Sequence, residues 1–176
     1  MSVEIGIYRP LPPAYHEHDP AASQAAEELI ELIGGRNDRL HIEHIGSSAV
    51  PGCGGKGYID LLVTYPPGQL ESAKQTLHAL GFQHQQSGHP FPEERPMRVC
   101  SVEHQGRRFS VHAHVVARDA TEAHELVRFR DRLRADDDVR RKYEAEKRRI
   151  LDAGVTRAEE YTHAKTDFIR GVVAQS

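Results

Sequence analysis

Tryptophan is missing from this chain, and cysteine and methionine occur only twice each. The two cysteines, Cys53 and Cys100, stand far apart, which excludes a disulfide framework and a zinc knuckle and reads as two reduced thiols. No stretch approaches the roughly 18 consecutive apolar residues of a membrane span. The start, Met-Ser-Val-Glu-Ile-Gly, has neither the basic residues nor the apolar run of a signal peptide, so the expected location is the cytoplasm. Nor is there an excess of positive charge: the formal net charge is −3, which argues against a protein that coats nucleic acid. Internal repeats and low-complexity tracts are absent too.

What remains is an ordinary globular composition, with 38% hydrophobic and 28% charged residues in 176. That length suits one domain over 1–176 with a core of its own. Charge is unevenly spread. Arg128 to Arg149 carries ten Lys/Arg against six Asp/Glu, whereas Met1 to Asp60 carries nine acids against four bases. A local anionic ligand such as a phosphate is compatible with that distribution.

Residues 1–19 are proline-rich and read as an irregular segment wrapping the surface after an extended start at Val3–Tyr8. Asp19-Pro20 marks a helix start, Ala22, Ala25, Ala26, Leu29, Ile30 and Ile33 give it one apolar face, and Gly34-Gly35 is expected to end it. Leu40–Ile45 and Tyr58–Tyr65 read as strands, separated by a glycine-rich loop over 46–57. In the second strand Asp60, Leu62 and Thr64 share a face. A helix follows over Leu70–Leu80, then a possible short strand and a loop to Pro96. Met97–His104 and Arg108–Val116 pair as a hairpin across Gln105-Gly106-Arg107, with Ser110, His112, His114 and Val116 on one face. The tail over 119–174 is helical, with capping boxes expected at Asp119–Glu122 and Thr156–Glu159 and an acidic helix start at Asp136–Asp138. The order of elements predicts an α/β (α+β) domain: a mixed sheet, flanking helices and a C-terminal helical tail.

Several residues carry potential chemistry. At His44-Ile45-Gly46-Ser47-Ser48 a strand runs into a Gly-Ser turn, whose free N–H groups and hydroxyls suit a phosphate. The same residues also suit a plain tight loop. Asp60 lies between Ile59 and Leu61, so its carboxylate either accepts loop N–H bonds or ligates a metal. His112 and His114 share a strand face at a spacing that can chelate one divalent ion, or are hydrogen-bonded histidines among the twelve in the chain. Lys56 can reach a bound anion or extend into solvent. Lys147 and Lys165 read as decoration of a charged helical face.

Taken together, Ile42 to Gly52 and Lys56 to Val63 resemble the signature of the GrpB family. Val111-His112-Ala113-His114-Val115-Val116 resembles its His-x-His strand. Phe129–Arg134, Tyr143–Lys147 and Tyr161–Lys165 resemble its helical tail. The resemblance covers about 38–172 and implies a nucleotidyltransferase-like fold. It would put Gly46 and Ser47 where that superfamily grips nucleotide phosphates and Asp60, as the catalytic residue, where its metal-binding carboxylates begin. Leu62 stands where the second acid is usual, and His112 and His114 where a third would be. Such a ligand set suits zinc or manganese better than magnesium. The chain also departs from the family pattern in Lys56-Gly57, in the Cys53-Gly54-Gly55 loop and in lacking the N-terminal tryptophan region.

The resemblance therefore implies a nucleotide or other phosphorylated small molecule at Gly46, Ser47, Ser48 and Lys56. It also implies one divalent metal (Mg, Mn or Zn) on Asp60, His112 and His114, with nucleotidyl or phosphoryl transfer as the reaction class if the site is catalytic. Two other readings stand beside it. One is a non-catalytic accessory or folding domain for a partner protein, because a related domain is fused to dephospho-CoA kinase, a coenzyme A biosynthetic enzyme, in some bacteria. The other is a metal-dependent hydrolase built on the same three ligands.

Overall fold

The computed structural model describes residues 3–155 and 157–175. In chain order the elements are β1 (Glu4–Gly6), α1 (Pro20–Arg36), β2 (His41–Ile45), β3 (Ile59–Tyr65), α2 (Leu70–Ala79), β4 (Gln83–His84), β5 (Met97–His104), β6 (Arg107–Ala117), α3 (Thr121–Ala135), α4 (Asp137–Asp152) and α5 (Ala158–Ala174). The strands form one six-stranded sheet in the order β1-β5-β6-β3-β2, with β4 also pairing β5. β3 and β6 run parallel, and the other pairs are antiparallel. This is the mixed α/β architecture expected from the order of elements.

Alternation along the strands divides the core. Ile59, Leu61 and Val63 of β3 and Val111, Ala113 and Val115 of β6 are fully buried with the apolar faces of α1 and α2. The opposite face carries Ile45, Leu62 and Val116 against Ala123 and Leu126 of α3. Each buried Val, Leu or Ile side chain here stabilises the fold by about 1.5–3 kcal/mol. A third cluster packs Val50 and Cys53, from the loop after β2, against Phe129, Leu133, Tyr143 and Val172 of the tail. That contact fixes the glycine-rich loop against the helices.

Helix starts obey their caps where an acid is correctly placed. The Asp19 side chain accepts from Ala21 N–H at 3.0 Å, with Pro20 at the first position, and Asp136 accepts from Asp138 and Val139 at 3.0 and 3.1 Å. Three local expectations need correction. α1 does not stop at Gly34-Gly35 but runs to Arg36, because both glycines keep helical backbone and the chain turns extended only at Asn37. The hairpin turn is Gln105-Gly106, with φ of 50° and 73°, one residue shorter than expected, so Arg107 joins β6. The Asp119–Glu122 box does not form: Ala120 caps α3 without a side-chain bond, and Glu122 pairs with Arg95 instead. The box read at Thr156–Glu159 lies outside the described residues.

Candidate functional site

The turn after β2 owes its shape to one residue. Gly46 has φ +74°, and a Cβ there would stand 2.7 Å from Asp60 Oδ2. Glycine is therefore required both by the backbone and by the carboxylate packed against it. Ser47–Ala49 form a single 3₁₀ turn, which leaves the Ser47 and Ser48 N–H groups without an intrahelical acceptor. The two hydroxyls diverge. Ser48 Oγ lies 2.9 Å from His44 Nε2, and its carbonyl accepts from Ser23 at 3.2 Å. His44 is held uncharged by burial, which pushes it down to about 4 against the pull of Asp60. Ser47 Oγ points the other way and accepts from Lys147 Nζ at 2.8 Å.

The tail and the N-terminal segment clamp the rest of the loop. Arg134 donates twice to Ala49 O, at 2.9 and 2.7 Å. Glu144 accepts from Gly54 N–H at 3.0 Å and from Tyr15 Oη at 3.1 Å. His16 and Gly55 exchange backbone hydrogen bonds of 2.7 and 2.9 Å. Gly54 is needed here, since a Cβ would strike the Tyr15 hydroxyl and stand 2.7 Å from His16 O.

Register brings the second group together. Asp60 pairs with His112 and Leu62 with His114 across the parallel β3/β6 ladder, so period-two alternation puts the carboxylate and both imidazoles on one face. Asp60 Oδ1 lies 3.5 Å from His112 Nδ1 and 3.5 Å from His114 Nε2, with 27% of its side chain exposed. Burial works to raise its pKa, but bonds from the two imidazoles hold the carboxyl well below the usual range. Tyr8 Oη lies 2.8 Å from His112 Nε2, and the Tyr58 ring stacks on the same imidazole at 4.4 Å between centroids. His112 is thus held at both nitrogens. His114 Nδ1 is buried with no hydrogen-bond partner, and Phe91 stands edge-on to its ring at 6.0 Å. Among the described residues no group of three or more His, Cys, Asp or Glu side chains is arranged so that it could hold a metal ion as it stands.

Lysines make the third group. Lys147 is not surface decoration: it is 1% exposed, and its Nζ donates to Ser47 Oγ, to Gly54 O and, at 3.5 Å, to Cys53 Sγ. Burial lowers it to about 8. Lys56 Nζ lies over the Tyr161 ring at 4.2 Å and the Tyr58 ring at 5.5 Å. Burial, then the charge of Lys165, lowers it to about 8 as well. Lys165 Nζ sits over Tyr161 at 5.1 Å. Among the described residues the lysine ion pairs belong to Lys74, with Glu71 and Glu93; Lys56, Lys147 and Lys165 make none. A desolvated ammonium without an acid is costly, and a phosphate is the natural counter-charge.

The structure thus gathers Gly46, Ser47, Lys56, Asp60, His112 and His114 around the start of β3, and turns the Ser48 hydroxyl toward His44 of β2. Sequence reasoning passed over the roles of Tyr8, Tyr58, Tyr161 and Lys147. For Lys147 a signal existed: it occupies the apolar face of α4 between Tyr143 and Ile150, both buried. The site does not coincide with a surface hollow of about 540 Å³ lined by residues that include Arg36, Asn37, Arg39, Ser72 and Thr76. That hollow is open and polar, and it lacks the unpaired buried cations.

Comparison with known proteins agrees with the fold. The model of the family described as GrpB protein matches residues 12–175. A UPF0157 protein of Streptomyces coelicolor is 34% identical over 84% of this chain and 73% of its own length. A UPF0157 protein of Pseudomonas aeruginosa is 31% identical over 95% of this chain and 66% of its own length. The crystal structure of the conserved protein GrpB from Enterococcus faecalis superposes with a TM-score of 0.70 over 92% of this chain and 96% of that one, at 22% identity. At that identity the likeness speaks for the fold.

Proposed function

The chain belongs to the GrpB protein family, and with that as premise we propose that it binds a nucleotide or another phosphorylated small molecule at the junction of β2 and β3. The observation that carries this reading is the set of three lysines, two of them desolvated, gathered without carboxylate partners beside the Gly46–Ser48 turn. The N–H groups of Ser47 and Ser48, which have no acceptor within the turn, would donate to phosphate oxygens. Lys147, Lys56 and Lys165 would neutralise their charge, with Lys147 shifting from Ser47 Oγ onto the ligand. Such fixed donors in a partly desolvated site are the means by which phosphoryl groups are oriented and stabilised during transfer. Nucleotidyl or phosphoryl transfer is the reaction class this arrangement suits.

Asp60, His112 and His114 form the neighbouring part of the site. As one oxygen and two nitrogen donors they fit zinc or manganese in kind better than magnesium. Asp60 Oδ1, His112 Nδ1 and His114 Nε2 are the atoms that would hold the ion. Ligation would replace the present contacts, in which Asp60 Oδ1 lies 3.5 Å from each of the two imidazole nitrogens. A bound ion would supply positive charge to a phosphate oxygen. Asp60, kept ionised by its neighbours, would otherwise orient the two imidazoles beside the phosphate.

The test is titration of wild type and Ser47→Ala with ATP, ADP and pyrophosphate, beside metal analysis of wild type and the His112→Ala/His114→Ala double variant. The reading expects binding weakened in Ser47→Ala and bound metal lost in the double variant. Affinity unchanged in Ser47→Ala removes the phosphate cradle. No binding of any phosphate compound by wild type removes the reading as a whole and turns attention to protein partners.

A further inference from the structure

Lys56 and Lys147 have similar surroundings but different attachments. Lys147 Nζ is spent on three acceptors, Ser47 Oγ, Gly54 O and Cys53 Sγ. Lys56 Nζ has no hydrogen-bond acceptor among the described residues and rests on the faces of Tyr161 and Tyr58. A Cβ at Gly55 would stand 3.2 Å from Ser47 Oγ and 3.3 Å from Lys147 Nζ, so the backbone of Lys56 begins against the phosphate-cradling turn. We infer that Lys56 is a nucleophilic amine and that the site condenses with the carbonyl group of a phosphorylated aldehyde or ketone to form an imine.

This rests on the phosphate reading for the ligand's anchor, which with a carbonyl ligand falls to the turn, Lys147 and Lys165 and leaves Lys56 as the nucleophile. An amine is activated by desolvation and by a neighbouring cation. Both are present. Burial comes first and the Lys165 charge second in lowering Lys56 to about 8. The charged and titratable groups facing it are Lys165 of α5, Asp60 of β3 and the Tyr58 and Tyr161 rings, with Lys147 of α4 beyond Gly55. Asp60 pulls in the opposite direction, as do the two ring faces beneath the amine. In the reaction, the Nζ lone pair bonds to the carbonyl carbon while the C=O π pair moves to oxygen. One amine proton passes to that oxygen to give a carbinolamine, and the hydroxyl leaves with the other as water. Amine plus carbonyl becomes imine plus water, with no change in oxidation state.

The experiment treats the intact chain at pH 7 with pyridoxal 5′-phosphate, and in parallel with pyridoxal, traps imines with borohydride, and maps adducts on Lys56, Lys74, Lys142, Lys147 and Lys165. The expected result is labelling of Lys56 roughly tenfold faster than exposed Lys142, because a far larger fraction of an amine with a lowered pKa is neutral. Pyrophosphate should slow that labelling, and Lys56→Arg should abolish it without transfer to other lysines. Equal labelling of Lys56 and Lys142, or labelling centred on Lys147, overturns the inference. Selective labelling of Lys56 at equal rates by pyridoxal and its phosphate leaves the nucleophile standing and removes the phosphate anchor. Nucleotide binding retained without Lys56 labelling does the reverse.

Discussion

Two groups of charges lie side by side at the start of β3, and they are balanced in opposite ways. Asp60 is enclosed by partners: two imidazoles reach it, Tyr8 reaches one of them, and the carboxylate is held ionised. The lysines across the Gly46–Ser48 turn have rings, hydroxyls and carbonyls for company but no acid in contact. The first group finds its hydrogen-bonding partners within the chain. The second carries charge that, on the proposed reading, an anion from outside would balance. Burial alone therefore does not mark a ligand site; burial of one sign of charge without the other does.

The comparison can be broken most severely at its joint. Gly46→Ala forces a left-handed backbone on alanine and drives its Cβ to 2.7 Å from Asp60 Oδ2, so denaturant unfolding should show a loss of about 3 kcal/mol. A loss under 1 kcal/mol would mean that the turn relaxes and that the two groups are not rigidly coupled.

Lys147→Met should act with two signs. Removing a buried cation whose burial opposes its charge should leave the ligand-free protein as stable or up to about 2 kcal/mol more stable. Phosphate affinity should fall roughly 10- to 100-fold, the worth of one or two charge-assisted hydrogen bonds. Thermal unfolding with and without pyrophosphate reads both. Destabilisation of the ligand-free protein would show that the bonds to Gly54 O and Ser47 Oγ outweigh desolvation.

pH sharpens the same point. Folding lowers Lys56 and Lys147 from 10.5 to about 8, so between those values the unfolded chain binds more protons and these groups add stability as pH rises. Buried Cys53 and Cys100, both raised from 9.0, oppose this at the alkaline end. The useful quantity is therefore the stability of wild type minus that of Lys56→Met/Lys147→Met. It should increase from pH 7 to pH 10, by a few kcal/mol at most, and remain level if the lysines are ordinary.

Tyr8→Phe is the mildest change. It removes the hydrogen bond to His112 Nε2 and should cost about 1 kcal/mol of stability. Phosphate affinity should stay within twofold, because the anion site lies with the lysines. A tenfold loss would show that the two groups act as one.

The fold was largely legible, since period-two alternation over 97–117 and the glycine at 46 follow from local chemistry. What misled were local signals overruled by distant partners. Glu122 read as half of a capping box, but Arg95 takes it. Gly34-Gly35 read as a stop, but neither adopts the positive φ that would end a helix there. The convergence of Asp60 with His112 and His114 came from family resemblance, because the sequence alone does not reveal that β3 and β6 pair in that register. The lysine group was hardest to see. It joins a loop to two helices that follow long after it, and only the third core cluster brings them together.

The most direct measurement is the proton balance of binding. Wild type is titrated with pyrophosphate at pH 8.5 by calorimetry in buffers of different ionisation enthalpy. An anion arriving at lysines lowered to about 8 restores their charge, so binding should take up protons in wild type and not in Lys56→Met/Lys147→Met. Absence of binding, or binding with no proton uptake, would contradict the assignment of these lysines to an anion site.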